Sequence, residues 1–408
     1  MTNWLDSAGH RHWLEHHARH LLNFSRRTGR PGGGAYWLGD DGSPDLSKPV
    51  HTWITGRMVH VFGLGTLLGV PGSAPVAEHA LRGLTGPLRD QTHGGWFTAI
   101  DAVTGEPLPS EKACYDHAFV LLAAATASHA RLPGAQDLLS QAAEVFLTRF
   151  WDDEAGLCVD LWNREFTAID DYRGLNANMH AVEAMLSVAG RTGDDAWLER
   201  ARRVAGFVVD QASGHDWRIP EHFDARWQPL PEYNHDQPGH QFKPYGATVG
   251  HALEWARLML HLEASGLPDT AFLADAAVAL FDRAVRDGWA RDGHPGFVYT
   301  TDWDGEPVVR DRMHWVLCEA INTAAALHRR TGDEAYARWY ARWWDHADLH
   351  HIDHEQGSWI AQLGPANERT DSIWTGKADT YHAFQATLVP RLPLYPMMAA
   401  AIDDGRLG

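Results

Sequence analysis

The chain contains little cysteine and no long apolar run. Its 408 residues include three cysteines, Cys114, Cys158 and Cys318, which are too few and too scattered for a disulfide framework or a thiolate zinc site. We therefore expect free thiols. No apolar stretch approaches the roughly 18 residues that a membrane-spanning helix needs, and the opening residues MTNWLDS show no secretory signal. These absences predict a soluble, cytoplasmic protein.

Positive charge is also scarce. The sequence has 35 Lys and Arg residues against 53 Asp and Glu residues, so its formal net charge is −18. Nucleic acids and anionic membranes bind proteins through clustered cations, so neither is an expected partner. The sequence is instead rich in tryptophan (19) and histidine (26). The flat indole face and its single N–H donor suit sugars, and a small neutral ligand fits this composition better.

Apolar residues recur with a helical period in twelve segments. These segments span about 13–27, 52–69, 76–91, 115–130, 135–152, 176–193, 195–213, 245–264, 270–288, 314–332, 334–351 and 379–400. Every second segment, starting with the one near residue 52, is richer in apolar and small residues, and the starts of these segments are 61 to 69 residues apart. The chain is therefore expected to contain six copies of a helix pair.

The alternation of helix types predicts two layers. The more apolar helices should be buried as an inner layer, and the helices that carry charges around one apolar stripe should form an outer layer. Long links near Gly94, Gly156 and Gly296 alternate apolar and turn residues, which predicts short hairpins. We therefore predict an all-α fold, an (α/α)6 barrel of six inner and six outer helices in one domain (1–408), with short β-hairpins in the loops on the active-site rim. An open superhelix fits the period equally well.

One inner helix carries a conspicuous pair of polar residues near its start. His251 and Glu254 are three residues apart and should share a helix face, where the carboxylate would orient or charge the imidazole. The small-residue entry from Gly246 to Gly250 should let a ligand approach closely. A partly buried structural His–Glu pair is the alternative interpretation.

Similar polar groups occur near the start of every inner helix. They are Arg57, Asp116, His117, Asn176, His180, His251, Glu254, Trp315, Glu319, Tyr381 and His382. Taken singly, each could be a satisfied structural residue. In a closed ring they would line one pocket, where the helix N-termini favour negative charge on a ligand oxygen.

Histidine pairs with metal-ligand spacing lie elsewhere. His346 with His350, and His16 with His20, have the i, i+4 spacing of two ligands on a helix, but both pairs belong to outer helices. The ring itself contains more histidines than carboxylates. We therefore expect catalysis without a metal ion.

Four stretches, 52–60, 176–184, 244–258 and 377–385, resemble the N-acylglucosamine 2-epimerase superfamily, and the resemblance extends over nearly the whole chain. It implies the same barrel and no metal or other cofactor. The sequence around Arg57, His251 and His382 is most similar to the mannose isomerase branch. The family's other site residues map to Asn176, His180, Glu254 and Glu319, and its sugar-ring contacts map to Trp53, Tyr115 and Trp315.

The resemblance implies an aldose–ketose isomerase that interconverts D-mannose and D-fructose, and also D-lyxose and D-xylulose, through ring opening and a cis-enediolate. In this hypothesis His382 moves the proton between C2 and C1, His251 tuned by Glu254 opens the ring, and Arg57 stabilises the enediolate. His180 and Glu319 would bind hydroxyl groups. The resemblance leaves the roles of the two histidines interchangeable.

Four other functions are compatible with these residues. A sugar 2-epimerase of the cellobiose or N-acylglucosamine type would use the same groups, and a sulfoquinovose isomerase would need a cation, for which Lys243 is the nearby candidate. A glycoside hydrolase would use Glu254 and Glu319 as its acid pair. A noncatalytic sugar-binding protein is the fourth. The expected partner is a monosaccharide, and the expected assembly is a monomer or homodimer.

Overall fold

A computed structural model describes residues 3–109 and 111–408, in which outer and inner helices alternate along the chain. The outer helices are α1 (Ala8–Ser25), α3 (Ser73–Thr85), α5 (Ala135–Val145), α7 (Ala196–Gly214), α9 (Phe272–Gly288) and α11 (Glu334–His346). The inner helices are α2 (Thr52–Leu67), α4 (Cys114–His129), α6 (Leu175–Thr192), α8 (Val249–Glu263), α10 (His314–Thr331) and α12 (Thr380–Leu388).

The inner helices form a closed ring. Each packs against the next in the order α2, α4, α6, α8, α10 and α12, and α12 packs back against α2. Each outer helix covers an inner one, with α1 on α12, α3 on α2, and the later pairs in sequence order. This arrangement confirms the (α/α)6 barrel and excludes the open superhelix.

The two layers differ in burial as their sequences predict. Every residue of the alanine-rich inner helix α4 is buried except Tyr115. The outer helix α9 instead buries a stripe at helical spacing. This stripe comprises Leu273, Ala276, Ala277, Leu280, Phe281 and Ala284, together with Asp287 and Gly288 at the end of the helix. Burial of the apolar surface on both layers stabilises the ring.

Two glycines set the distance between α2 and α4. A Cβ added at Gly56 would lie 2.8 Å from the carbonyl oxygen of Phe119, and one added at Gly63 would lie 2.9 Å from Cγ2 of Thr126. Both distances are shorter than normal van der Waals contacts. The close approach of these helices therefore depends on the missing side chains.

Short antiparallel strands join neighbouring units at one rim. The paired strands are β1 (Val50–His51) with β2 (Ala99–Ile100), β3 (Lys112–Ala113) with β6 (Leu161–Trp162), β4 (Trp151–Asp152) with β5 (Leu157–Cys158), β7 (Arg173–Gly174) with β8 (His222–Phe223), β9 (Ala247–Thr248) with β10 (Thr300–Thr301), β10 with β11 (Pro307–Val309), and β12 (Arg312–Met313) with β13 (Gln362–Leu363). Five of these strands, β1, β3, β7, β9 and β12, end at the residue before an inner helix begins. The strands therefore fix the first turns of those helices at the same rim.

The prediction of a single helix over 379–400 is wrong. Helix α12 ends at Leu388, and a separate short helix, α13 (Met398–Asp403), packs against α2, α4 and α6. Pro390, Pro393 and Pro396 lie between the two helices, and proline interrupts helical hydrogen bonding. Across the described ranges, no helix is both long and apolar enough to cross a membrane.

Candidate active site

A cavity opens where the first turns of the inner helices meet. The space between its walls, part of which is open to solvent, amounts to about 400 Å³. All six inner helices contribute to its lining, through Arg57, Tyr115, Asn176, His180, His251, Glu254, Trp315 and His382. Loops contribute Gln241, Phe242, Tyr299, Trp374 and Asp379. Seven of the eleven predicted ring residues therefore line one pocket, whereas Asp116, His117, Glu319 and Tyr381 are not part of its lining.

Two predicted site residues lie behind this lining. The guanidinium of Arg57 lies over the indole of Trp53, with its carbon 4.9 Å from the ring centroid. Glu319 is fully buried, and its Oε1 lies 3.1 Å from Nδ1 of His382. These two residues can support lining residues, but they do not line the cavity themselves.

His251 is oriented by a carboxylate from outside its own helix. Its Nδ1 lies 2.7 and 2.6 Å from the two carboxylate oxygens of Glu221, which immediately precedes β8. A carboxylate only accepts hydrogen bonds, so Nδ1 donates and Nε2 of the neutral ring is left to accept a proton. The expectation that Glu254 tunes His251 is wrong, because the imidazole bonds to Glu221 and the Glu254 carboxyl instead contacts Arg257 and His180.

The glycines before His251 serve packing rather than ligand access. A Cβ at Gly250 would lie 2.4 Å from the indole of Trp315, and one at Gly246 would lie 2.1 Å from the carbonyl oxygen of Thr301 in β10. Gly246 also has a φ of 84°, a conformation that favours glycine. The prediction that this segment admits a ligand is therefore wrong, since protein atoms occupy the space.

His382 is held by two acids. Glu319 contacts its Nδ1, and Oδ2 of Asp379 lies 3.6 Å from its Nε2. Asp379 also caps α12, since its Oδ1 accepts from the backbone N–H of His382 at 3.4 Å. The start of α12 therefore positions both the imidazole and the carboxylate beside it.

Both imidazoles pack against the same indole. The ring centroids of His251 and His382 lie 5.2 and 5.8 Å from that of Trp315, at tilts of 35° and 36°. Contacts of this kind restrict the orientation of the rings. Trp315 therefore links the two candidate acid–base groups in one rigid wall of the pocket.

A buried guanidinium joins Glu319 and Glu254. Nε of Arg257 lies 2.7 Å from Oε2 of Glu319, and its Nη2 lies 3.4 Å from Oε1 of Glu254. Burial acts to raise the pKa of Glu319, but the charges of Arg257 and His382 outweigh it and hold that pKa below its ordinary value. Burial and then the charge of Glu319 raise the pKa of Glu254 well above its ordinary value. Burial and the charge of Glu319 therefore favour the protonated form of Glu254 at the pocket wall.

Arg57 presents the positive charge of the pocket. Its Nη1 lies 3.2 Å from Oδ2 of Asp379, and its Nη2 donates to the hydroxyl of Tyr115 at 3.2 Å. The aromatic rings of Phe119 and Tyr381 lie 4.5 and 4.7 Å from its guanidinium carbon. Burial raises the pKa of Asp379, but His382, Arg57 and His314 lower it to about 2 in total. These contacts hold the Arg57 guanidinium at the wall of the cavity, where it can donate hydrogen bonds.

His180 lies on a third side of the cavity, above buried acids. Burial lowers its pKa to about 4 despite the opposing effect of Glu183, so it is neutral at pH 7. One ligand atom each of His180, Glu183 and Glu254 could surround a metal ion. The Glu183 carboxylate, however, already bonds to Tyr381 and Gln385, and Arg257 faces Glu254. This donor set suits hydrogen bonding better than cation binding.

The remaining candidates lie outside the cavity. His117 is a structural residue, because its Nδ1 bonds to the carbonyl oxygen of Ala113 and its Nε2 accepts from the backbone N–H of Trp96. Asp116 lines a neighbouring cavity. The histidine pairs with metal-ligand spacing lie at outer helices, as their sequence positions indicate, in α1 and at the end of α11.

Sequence reasoning missed several residues of this site. Asp379 had a detectable signal, because an aspartate three residues before His382 has the spacing of a helix N-cap. Arg257 follows Glu254 on the same helix face and could have been found in the same way. Glu221 lies 30 residues from His251, and nothing in the local pattern links the two.

Comparisons with known proteins agree with this geometry. The family model described as N-acylglucosamine 2-epimerase (GlcNAc 2-epimerase) matches residues 33–386. A D-mannose isomerase of Thermobifida fusca is 51% identical over 98% of this chain and 99% of its own, and one of Pseudomonas cannabina pv. alisalensis is 44% identical over 98% and 97%. A crystal structure of D-mannose isomerase superposes with a TM-score of 0.86 and 29% identity, covering 94% of this chain and 97% of the other. The chain belongs to the N-acylglucosamine 2-epimerase family.

Proposed function

We propose that this protein is an isomerase that interconverts D-mannose and D-fructose, and D-lyxose and D-xylulose by the same chemistry. The observation that carries the proposal is the pair His251 and His382, each bonded to its own carboxylate and both lining a pocket that contains Arg57. The 51% identity with a D-mannose isomerase over nearly the full length supports the same activity.

The reaction needs one base at carbon and one proton donor at oxygen. We assign His382 to removal of the C2 proton and its return to C1, since Glu319 fixes its Nδ1. His251, whose Nε2 is left to accept a proton by the bond to Glu221, opens the ring and carries the proton between O2 and O1. Histidine suits both steps because its ordinary pKa is near neutrality.

The intermediate of this route carries negative charge on the O1/O2 pair. Arg57 donates hydrogen bonds to these oxygens, and its charge stabilises the enediolate. In its protonated form, which its raised pKa favours, Glu254 donates a hydrogen bond to a sugar oxygen. His180, Asn176 and Tyr115 bind hydroxyl groups along the same wall, and Trp53 supports Arg57 from behind. No step requires a metal ion or another cofactor.

The alternative activities are less well supported. A 2-epimerase would use the same two histidines on opposite faces of C2, and the 51% identity with a D-mannose isomerase is what favours the isomerase. A sulfonated sugar needs a cation, but Nζ of Lys243 lies 3.7 Å from the ring centroid of Tyr172, at the neighbouring cavity. A glycosidase acid pair is disfavoured because Arg257 binds both Glu254 and Glu319.

The deciding experiment is incubation of the enzyme with D-mannose in D2O. We expect fructose as the first product, with deuterium at C1. Deuterium should enter C2 of mannose only through the reverse reaction from fructose. Glucose as the first product would assign the chain to the epimerases. The substitution His382→Asn should abolish exchange at carbon, and retained exchange would remove that residue from the base role.

The cellular setting completes the proposal. We place the enzyme in the cytoplasm, as one catalytic domain (1–408) that acts on a monosaccharide as a monomer or homodimer. The formal charge of −18 supports the absence of nucleic acid and membrane partners.

A further inference from the structure

Asp379 lines the sugar pocket beside His382, at the point where α12 begins. Its Oδ2 lies 3.6 Å from Nε2 of His382 and 3.2 Å from Nη1 of Arg57. The side chain is largely buried, with 13% of its surface exposed. No step of the mechanism described above uses this carboxylate.

Helix capping does not account for an acid at this position. Asp379 caps α12 through Oδ1 only, which leaves Oδ2 for its contacts in the pocket. Within the described residues, none of the other five inner helices begins with a side-chain cap, so an inner helix can begin without one. Asn or Ser would also cap as well as Asp. The charge of Asp379 therefore has another use.

The tautomer of His382 leaves its Nε2 without a proton. Nδ1 lies 3.1 Å from Oε1 of Glu319, and because a carboxylate only accepts, Nδ1 donates and Nε2 of the neutral ring carries a lone pair. The 3.6 Å from Nε2 to Oδ2 of Asp379 is too long for a hydrogen bond but short for an electrostatic interaction in a buried site. The negative charge therefore raises the affinity of Nε2 for a proton.

Three neighbours of His382 are neutral at pH 7. Burial lowers the pKa of His180 on α6 to about 4 and also lowers that of His314 on α10. Burial raises the pKa of Tyr381 on α12 well above its ordinary value. On α8, His251 packs against the same indole as His382 and has its own carboxylate partner.

The charged neighbours of His382 are two acids and one guanidinium. The pKa of Glu319 on α10 lies below its ordinary value, and Arg57 on α2 is paired with Asp379. Burial acts to raise the pKa of Asp379, but His382, Arg57 and His314 lower it to about 2. Asp379 therefore keeps its negative charge throughout the pH range in which a histidine titrates.

We propose that Asp379 is a positioning residue of the isomerisation, whose negative charge makes Nε2 of His382 a stronger base for the proton at C2. This inference rests on the proposed function, in which His382 removes that proton. The C2–H bond breaks, the proton binds to Nε2, and the electron pair forms the C1–C2 double bond while the carbonyl electrons move to O1. The resulting imidazolium lies between Glu319 and Asp379 until it returns the proton to C1.

Two variants remove the charge and keep the helix cap. Asp379→Asn retains a capping oxygen and an acceptor for Arg57, and Asp379→Ser retains the cap alone. The matched control is Asp333→Asn. Asp333 caps the outer helix α11 by accepting from the backbone N–H of Ala335 at 2.8 Å, and its side chain is exposed.

NMR titration of the histidine rings in the free enzyme measures the effect without substrate. The signal of His382 is identified by its loss in His382→Asn. In Asp379→Asn and Asp379→Ser this ring should lose its proton at a pH lower by about one unit or more. In Asp333→Asn it should titrate as in the wild type.

The pH dependence of mannose isomerisation measures the same effect during turnover. The acidic limb of kcat/KM reports the free enzyme and should move to lower pH in both Asp379 variants. On the plateau, kcat should fall by about tenfold, because one pKa unit changes the equilibrium of proton uptake tenfold. A role in folding alone would reduce activity without moving the limb.

An unchanged titration of His382 in Asp379→Asn, or an equal shift in Asp333→Asn, would overturn the inference. A shifted titration with an unmoved acidic limb would also overturn it, because His382 would then not be the base whose proton affinity Asp379 controls. If the wild type formed no fructose from mannose, the proposed function would fail. The titration would still decide whether Asp379 acts on His382.

Discussion

Nδ1 of His251 lies 2.6 Å from Oε2 of Glu221, a residue 30 positions earlier in the chain. Glu254, only three positions after His251 on the same helix, faces Arg257 instead. The two glutamates therefore have different roles. Glu221 sets the tautomer and orientation of the imidazole, whereas burial and the charge of Glu319 raise the pKa of Glu254.

Replacing Glu221 by Gln should lower kcat by about a hundredfold or more, the scale of a general acid–base contribution. The amide can donate to Nδ1 and so favour the wrong tautomer of His251. The measurement is steady-state conversion of mannose to fructose, with Glu232→Gln as a matched change at an exposed position of the following loop. A Glu221→Gln enzyme as active as this control would show that His251 needs no carboxylate.

Glu254→Gln should have a much smaller effect, with kcat within about tenfold of the wild type. The raised pKa of Glu254 favours its protonated form, and an amide retains a donor and an acceptor at the same place. Glu254→Ala, which removes the donor, should be clearly slower. A loss of about 10²- to 10⁴-fold in the Gln variant would identify Glu254 as an ionised base and reject the neutral acid.

The barrel and most of the pocket can be predicted from the sequence, because both depend on periodic signals. The recurrence of apolar helices and the polar residues at their first turns predict where Arg57, His180 and His382 converge. The pairing of His251 could not be predicted in this way, because it depends on the loop that brings Glu221 to α8. The glycines at 246 and 250 were also misleading, since a small residue signals close approach without indicating what approaches.

Burial also reverses what a residue type suggests. From the sequence, Glu254 is interpreted as a charged partner of His251. In the structure its pKa depends on Glu319 and Arg257, which the packing of the inner helices places beside it. Likewise His117 has the type and position of a pocket residue, yet backbone groups satisfy both of its nitrogens. Local sequence specifies which groups are present, and the tertiary packing decides their charge and exposure.

Arg257→Met should destabilise the fold by about 3–5 kcal/mol, because it leaves the buried carboxylate of Glu319 without its cation. The exposed pair of Arg330 with Glu263 provides the comparison, since Arg330→Met should cost at most about 1 kcal/mol. Urea unfolding followed by circular dichroism measures both. Similar midpoints for the two variants would show that the buried network contributes little to stability.

Asp116 should make stability depend on pH. Burial raises its pKa from 3.8 in the unfolded chain to about 8, against hydrogen bonds from Thr98 and the backbone of Trp53. The folded state then holds an extra proton between these values, so its contribution to stability is complete below about pH 4 and is lost as the pH rises towards 8. The slope for one proton is about 1.4 kcal/mol per pH unit.

Unfolding midpoints of wild type and Asp116→Asn, measured from pH 5 to pH 8, test this contribution. The difference between the two proteins should change steadily with pH in favour of the Asn variant at the alkaline end. The exposed Asp275→Asn variant in α9 should run parallel to the wild type. A constant difference between wild type and Asp116→Asn would mean that Asp116 is already ionised across this range.

Gly56→Ala should destabilise the barrel although alanine is the better helix former. A Cβ at this position would lie 2.8 Å from the carbonyl oxygen of Phe119, so α2 and α4 must separate, at a cost of about 1–3 kcal/mol. Gly206 in α7 has no atom within 4 Å of an added Cβ, and Gly206→Ala should stabilise by about 0.4–1 kcal/mol. Thermal unfolding of both variants therefore separates helix propensity from ring packing. We expect the unfolding temperature to fall for Gly56→Ala and to rise for Gly206→Ala. Stabilisation by both substitutions would show that the α2–α4 contact adapts freely to a methyl group.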